Sequence, residues 1–255
     1  MLKSAIVRER LGTRSSRAAR SIIVSAMLLA IHSINSAGAA GALAQAPKYE
    51  MGTFYICLLV KSANFKDGDT TKNKELLQAH LKHVQGLIAD GKVFAMGPFL
   101  DNNPIVGIGV FNASSPEEAR AMEQEDPFVK SGLFTVEVLK WWAAKGIMKP
   151  PEQPAKMATY YFAFLRRGPK WTPEKTPETE KLQADHMANI VAMAGTGKLV
   201  IAGPFENAGN YAGVFVFKVG SLDEAKTLAE GDPAVKAGRL TVDVHPWMVA
   251  KGSLP

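Results

Sequence analysis

Two pairs of histidine and aspartate are the residues of this chain best suited to chemistry. His80 is followed by Asp126, and His186 is followed at the same distance by Asp232. A carboxylate that accepts a hydrogen bond from one imidazole nitrogen fixes the tautomer and leaves the other nitrogen able to accept a proton near neutral pH. Each pair could therefore abstract or return a proton in an elimination, isomerisation or hydration, without a metal or an organic cofactor.

A structural role for the same residues is an alternative. Asp126 and Asp232 each precede a proline, which is typical of a helix start with Asp as the N-cap and Pro in the first turn. His80 and His186 fall on an apolar helical stripe, where an unpaired polar group would cost about 1 to 3 kcal/mol. Each pair could thus be a structural hydrogen bond, although a carboxylate that caps with one oxygen can still bind His with the other.

Both pairs recur because the chain contains an internal repeat. At an offset of 106 positions and without a gap, residues 54–149 match residues 160–255 at 28 of 96 positions. A period this long excludes a solenoid, so each copy is predicted to be a small domain, the first spanning residues 45–149 and the second residues 150–255. The matches include both pairs, Gly97-Pro98-Phe99 with Gly203-Pro204-Phe205, Gly132 with Gly238, and Trp141 with Trp247.

Each copy predicts the order strand, helix, strand, strand, helix, strand. The order is ferredoxin-like, with two helices on one face of an antiparallel sheet. The other face of each sheet is apolar, so the two sheets are predicted to pack face to face as an α+β barrel, a pseudo-dimer within one chain. In the first copy the predicted strands are residues 53–61, 93–96, 105–111 and 135–138, with one helix around His80 and another starting at Ser115-Pro116-Glu117-Glu118.

The two Gly-Pro-Phe segments are predicted to form turns, because Gly and Pro are common turn residues. Such a turn could also form a lip at which the backbone approaches a small-molecule ligand. The residues predicted to bind substrate are Gly97, Pro98, Phe99, Gly203, Pro204 and Phe205.

Residues 1–44 are predicted to be a secretory signal. Six basic residues precede the apolar stretch 22–31, and small residues follow up to Ala42-Leu43-Ala44, which is the order of a signal peptide cleaved after Ala44. The apolar stretch is short for a membrane span, and an uncleaved N-terminal anchor is the alternative. The mature protein is therefore expected in the periplasm or outside the cell.

Cleavage would also remove most of the basic surplus. The chain after Ala44 keeps 24 of the 30 Lys and Arg residues and 23 of the 24 Asp and Glu residues, a net charge near +1. Nucleic acids and anionic membranes normally require clustered Lys and Arg. We therefore expect neither nucleic acid nor membrane as a partner after cleavage. We expect a small-molecule ligand instead.

Cysteine and metal chemistry are not favoured by the sequence. Cys57 is the single cysteine and lies in an apolar strand, so a packed, inert thiol is predicted. His80 and His83 have partial metal-ligand spacing, but the second copy has Asn189 in place of His83. We expect no metal and no cofactor, and we assign no role to His245, which has no histidine counterpart in the first copy.

The ordered motifs resemble the YCII-related (YciI-like) family over essentially the whole mature chain, once per copy. The motifs are a helix with a central His, a Gly-Pro-Phe segment, a Ser-x-x-Glu-Ala helix, Asp-Pro, and a closing strand that ends in Trp. The resemblance implies a dimeric α+β barrel with a His and Asp site in each subunit and mostly unassigned substrates. A dehydrochlorinase of chlorinated hydroxyhydroquinones is similar to this family, which implies acid-base chemistry on small cyclic molecules.

Two functions follow from these observations. The first is an exported enzyme of the lyase or isomerase type that uses His80 with Asp126, His186 with Asp232, or both. The second is a non-catalytic ligand-binding or scaffold protein, and either could assemble into a further homo-oligomer. The sequence does not indicate which copy is active, although the copies differ at Phe65 and Trp171, His83 and Asn189, Phe128 and Ala234, and Leu133 and Arg239.

The signal prediction can be tested on protein secreted by its own host. We expect the mature N-terminus at Gln45, because signal peptidase cleaves after the small residue of an A-x-A-like site. N-terminal sequencing or intact-mass spectrometry measures this directly. A chain that still begins at Met1 would show an uncleaved anchor instead.

Overall fold

The computed structural model of the chain describes residues 50–66, 71–151 and 155–255. The predicted signal segment and part of the Pro-rich joint between the copies lie outside these residues, so cleavage and the exact domain boundaries stay predictions. Within the described residues no helix is long and apolar enough to cross a membrane.

The two copies contain the same elements in the same order. The first copy consists of β1 (Met51–Lys61), α1 (Thr71–Ala89), β2 (Val93–Pro98), β3 (Ile105–Phe111), α2 (Pro116–Gln124), α3 (Pro127–Lys130) and β4 (Phe134–Ala144). The second copy consists of β5 (Met157–Arg167), α4 (Pro177–Gly195), β6 (Leu199–Glu206), β7 (Tyr211–Phe217), α5 (Leu222–Glu230), α6 (Pro233–Lys236) and β8 (Leu240–Ala250).

Each copy has the predicted ferredoxin-like arrangement. The strand order is β2-β3-β1-β4 in the first copy and β6-β7-β5-β8 in the second, with antiparallel neighbours throughout. The helices α2 and α5 start as the sequence predicts, because Ser115 and Ser221 accept hydrogen bonds from the backbone N–H three residues later. The short helices α3 and α6 begin at the two Asp-Pro pairs, where the sequence indicated a helix start with Asp as the N-cap.

The two sheets close into one barrel through two equivalent seams. At the first seam β4 pairs with β6, with Trp141 opposite Phe205. At the second seam Phe99 forms a bridge with Trp247, and the backbone N–H of Leu100 donates to the carbonyl of Pro246 over 2.9 Å. A single apolar core, which contains side chains of both copies, fills the interior. The predicted pseudo-dimeric barrel is confirmed.

The Gly-Pro segments lie in strands at the seams, and the prediction that they form turns is wrong. Gly97 and Pro98 end β2, whereas Gly203 and Pro204 lie inside β6. At Gly203 a Cβ atom would lie 2.2 Å from the carbonyl oxygen of Trp142, so only glycine allows the strands of the two copies to approach this closely. The indole N–H of Trp141 donates to the Gly203 carbonyl over 3.2 Å, and Trp247 donates to Gly97 over 3.1 Å.

His245 joins the copies at the second seam, a role that the sequence analysis did not assign. Its Nδ1 lies 2.7 Å from a carboxylate oxygen of Asp101 in the first copy, and its Nε2 lies 3.1 Å from Asp243 in β8. Burial by itself would lower the pKa of His245, but the hydrogen bonds to Asp243 and Asp101 outweigh burial and hold the pKa above its usual value. In its protonated form, the ring of His245 therefore donates to two carboxylates across the seam.

This bridge makes seam stability depend on pH. Because the folded-state pKa of His245 is raised, its stabilisation is fully present below the unfolded-state pKa near 6.5 and is lost as pH rises through the folded-state pKa. We expect His245→Leu, which introduces the residue of the first copy at this position, to lower the free energy of unfolding by on the order of 1 kcal/mol at pH 6 and by less at pH 9. Thermal melts across this range measure the difference.

Asp101→Asn serves as the companion variant, since it removes one carboxylate and leaves the imidazole in place. We expect Asp101→Asn to lower the free energy of unfolding at pH 6 by part of the amount that His245→Leu does. If the difference in melting temperature between wild type and His245→Leu is the same at pH 6 and pH 9, the ring contributes packing alone.

Candidate functional site

Both predicted His and Asp pairs are formed, on the helix side of each sheet. In the second copy Nδ1 of His186, on α4, lies 2.8 and 2.9 Å from the two carboxylate oxygens of Asp232. In the first copy Nδ1 of His80, on α1, forms a hydrogen bond with Asp126. The same carboxylates cap the short helices, accepting from the backbone N–H of Ala234 over 2.9 Å and of Phe128 over 2.8 Å. Each Asp thus serves as both helix cap and histidine partner.

The contacts of His186 leave one ring nitrogen available. Because Nδ1 donates to Asp232, the neutral ring carries its lone pair on Nε2. That nitrogen has no hydrogen-bond partner among the described residues, and the side chain is 10% exposed. The second copy therefore presents a buried, oriented imidazole with a free acceptor.

Asp232 is held as a carboxylate. Burial by itself would raise its pKa, but hydrogen bonds from His186, from Asn189 over 2.9 Å and from the Ala234 backbone outweigh burial, and the pKa lies below its usual value. An ionised Asp232 fixes the orientation of His186 and would stabilise the imidazolium that forms when Nε2 takes up a proton.

A cavity of about 230 Å³ lies against His186, between α4 and the outer face of the second sheet. Two of the predicted substrate-binding residues, Gly203 and Pro204, line it, whereas Phe205 belongs to the barrel core. The described residues of the wall are mostly apolar and include no Asp or Glu. The wall also includes Met51, Trp142, Trp171, Ala202, Phe215 and Arg239.

Larger side chains stand at the equivalent positions of the first copy. Phe128 and Met96 replace Ala234 and Ala202 of the cavity wall. The Phe128 ring lies 5.5 Å from the His80 ring and 4.9 Å from the Phe134 ring, measured between centroids. The first copy therefore fills with aromatic side chains the position at which the second copy has a cavity.

The face of α1 beside His80 is also more open than its apolar pattern predicts. Leu77 and Leu81 belong to the predicted stripe but are 45% and 44% exposed. Of the predicted substrate-binding residues in this copy, Phe99 lies in the barrel core, and Gly97 and Pro98 lie at the seam with β8.

Several wall residues were missed by sequence reasoning. Trp171 and Arg239 were noted as differences between the copies, without a role. Met51 and Trp142 come from the first copy and reach the cavity because the barrel seam brings β4 beside β6. No local sequence signal could identify them, since their contribution depends on how the two halves pack.

The first copy contains a buried acid that the sequence analysis did not identify. Glu123 is 1% exposed, and neither of its carboxyl oxygens has a hydrogen-bond partner among residues 50–66, 71–151 and 155–255. Burial, with a smaller effect from the charge of Asp126, raises its pKa to about 8. Its counterpart in the second copy is Ala229. Cys57 lies nearby and is fully buried, and burial raises the pKa of its thiol.

Comparison with known proteins agrees with the repeat and the fold. The model of the YCII-related domain matches residues 53–142 and 164–248. No curated protein matches the chain by sequence.

Two solved structures share the fold at low sequence identity. A protein provisionally named a chlorite dismutase is 9% identical, covers 77% of this chain and 95% of its own, and gives a TM-score of 0.53. A variant of the chlorite dismutase from Candidatus Nitrospira defluvii is 9% identical, covers 80% of this chain and 92% of its own, and gives a TM-score of 0.52. These similarities establish a two-repeat α+β barrel.

Glu123 should destabilise the fold at neutral and basic pH. The unfolded state releases the proton near pH 4.5 whereas the folded state keeps it to about pH 8, so this group lowers the free energy of unfolding progressively as pH rises between these values. We expect Glu123→Gln, which stays neutral in both states, to melt several degrees above wild type at pH 8 and close to wild type at pH 4.5. Glu125→Gln, at an exposed position, is the control. If Glu123→Gln melts below wild type at pH 8, the carboxyl group of Glu123 has a stabilising hydrogen-bond partner and the expectation is wrong.

Proposed function

The chain belongs to the YCII-related family, whose domain it carries twice, and from this premise we propose that it is a small-molecule enzyme of the lyase or isomerase type. The proposed acid-base residue is His186, at the cavity of the second copy. The observation that supports the proposal is the free Nε2 of a ring that lines the cavity and whose Nδ1 is held by Asp232.

The chemistry follows from this arrangement. A substrate with an acidic C–H beside a carbonyl group enters the cavity, and Nε2 of His186 takes the proton while Asp232 stabilises the imidazolium. The electron pair of the broken C–H bond passes into an enolate. In an isomerase the imidazolium then returns the proton to a different carbon. In a lyase the enolate expels an anionic leaving group from the adjacent carbon, and the proton passes to solvent.

The cavity favours a small and largely apolar substrate. Its volume is below the range of about 300 to 1,000 Å³ that is usual for drug-sized ligands. Trp142, Trp171 and Phe215 provide aromatic surface. A compound with one ring fits this size and this lining.

For the first copy a structural role is the better proposal. Asp126 caps α3 and binds His80, while Phe128 packs against the His80 ring. Together with the packing of Phe128 against Phe134 of β4, these contacts join α1, α3 and the sheet. We therefore assign the alternative function of the pair, a structural hydrogen bond, to His80 and Asp126, and acid-base chemistry to His186 and Asp232.

The expected site of action is outside the cytoplasm. We propose export through residues 1–44, on the sequence pattern alone. The pseudo-dimer already completes the barrel within one chain, and further homo-oligomerisation stays a prediction.

The proposal is tested by replacing each histidine with asparagine. Asn can still donate a hydrogen bond to the Asp but has no basic nitrogen. We expect His186→Asn to slow hydrogen–deuterium exchange at the acidic carbon of small cyclic ketones and lactones by about 10²- to 10⁴-fold, because a positioned general base contributes about this factor. Proton NMR in D₂O measures the exchange.

His80→Asn is the matched control and should leave exchange unchanged. Thermal melts of both variants check that they remain folded. Equal exchange in His186→Asn and wild type, or wild-type exchange no faster than buffer across the compounds, would refute the catalytic proposal.

A further inference from the structure

Arg239 is a cavity residue whose charge has no acidic partner. It lies between α6 and β8, and its guanidinium donates to the backbone carbonyl of Thr172 over 2.7 Å and to the Thr172 hydroxyl over 3.3 Å. Both acceptors are neutral, and no carboxylate of the described residues pairs with Arg239. A guanidinium has five N–H donors, so donors remain available for a ligand after these two bonds.

The surroundings leave the charge of Arg239 uncompensated. None of the lining residues within the described part of the chain is acidic. Asp232 lies behind His186, and its oxygens already accept hydrogen bonds from His186, Asn189 and the Ala234 backbone. A cation beside a mostly apolar cavity attracts an anion more strongly than it would in water, because the local dielectric constant is lower.

The cation is present only in the copy that has the cavity. Leu133 stands at the position of Arg239 in the first copy. The same copy has Phe128 and Met96 where the cavity wall has alanines. The second copy therefore has both smaller side chains and an additional cation at the same cavity. A binding site for an anionic ligand requires both features.

The position of Arg239 is also fixed. Its bonds to Thr172 hold the guanidinium on the segment that carries Trp171, and the guanidinium carbon lies 6.0 Å from the Trp171 ring. A preorganised guanidinium loses little conformational freedom when it binds a carboxylate or an enolate oxygen. The indole beside it can contact the apolar part of the same ligand.

We propose that the cavity of the second copy binds a small planar organic anion, with Arg239 binding its anionic oxygens and the aromatic side chains Trp142, Trp171 and Phe215 binding its ring. This assignment specifies the ligand class of the proposed active site. Binding of the anion does not depend on the proposed function, whereas turnover of the anion does. In that reaction Arg239 would also stabilise the negative charge that develops on oxygen when His186 removes the proton.

The test measures binding of benzoate and of benzamide, its neutral analogue, to the full chain by ligand-observed NMR. We expect benzoate to bind at least tenfold more tightly than benzamide. Arg239→Leu, which introduces the residue of the first copy, should reduce benzoate affinity to that of benzamide. Lys236→Leu is the control, because it removes one exposed positive charge three residues away that does not line the cavity. It should change benzoate affinity less than twofold.

A second variant tests the location independently of the charge. Ala234→Phe introduces the residue of the first copy and should abolish benzoate binding by filling the cavity, with the fold checked by thermal melting. Equal affinities for benzoate and benzamide, no benzoate binding by wild type, or unchanged benzoate binding in Arg239→Leu or in Ala234→Phe would each overturn the anion site.

The two proposals fail separately. His186→Asn should keep benzoate binding within about threefold of wild type while it loses deuterium exchange. If wild type binds benzoate through Arg239 but catalyses no exchange, the anion site stands and the acid-base function does not.

Discussion

The seam between the two copies is the contact on which the rest of the structure depends. Each ferredoxin-like sheet has helices on one face and an apolar surface on the other, which must be buried. Pairing of β4 with β6, and of Phe99 with Trp247, closes the two surfaces into one core. Glycine at position 203 is the steric condition for this approach, since any side chain there would collide with the backbone of Trp142.

The same seam completes the cavity of the second copy. It places Met51 and Trp142 of the first copy in the wall of a cavity that otherwise belongs to the second. The site is therefore a property of the fused pair. Covalent fusion also removes the symmetry of a true homodimer, because each copy can change its sequence without changing the other.

The divergence between the copies has a consistent physical direction. The first copy has aromatic packing around His80 and a buried, unpaired Glu123. The second copy has small residues around His186, an Asn that completes the hydrogen bonding of its Asp, and a cation at the cavity. In the proposed function, the first copy contributes structure and two side chains of the cavity wall, and the second copy contributes the acid-base residues.

The repeat, the element order and the pairing of each His with its Asp could be predicted from the sequence. Local patterns determine them: alternation and helical spacing determine the elements, and an imidazole on an apolar helix face needs a partner such as the carboxylate that caps the next helix. Identical residues recur 106 positions apart in the two copies, and this recurrence predicted that both copies share one fold.

Only the tertiary structure decided which copy has a cavity beside its His and Asp pair, what lines that cavity, and that Gly-Pro continues a strand at a seam. These features depend on contacts between residues far apart in the chain. His245 illustrates the limit, because its partner Asp101 lies in the other copy and no local pattern relates the two. Secondary structure depends on residues that are neighbours in the sequence. Cavities, seams and charge pairs depend on the packing of surfaces whose residues are far apart in the sequence.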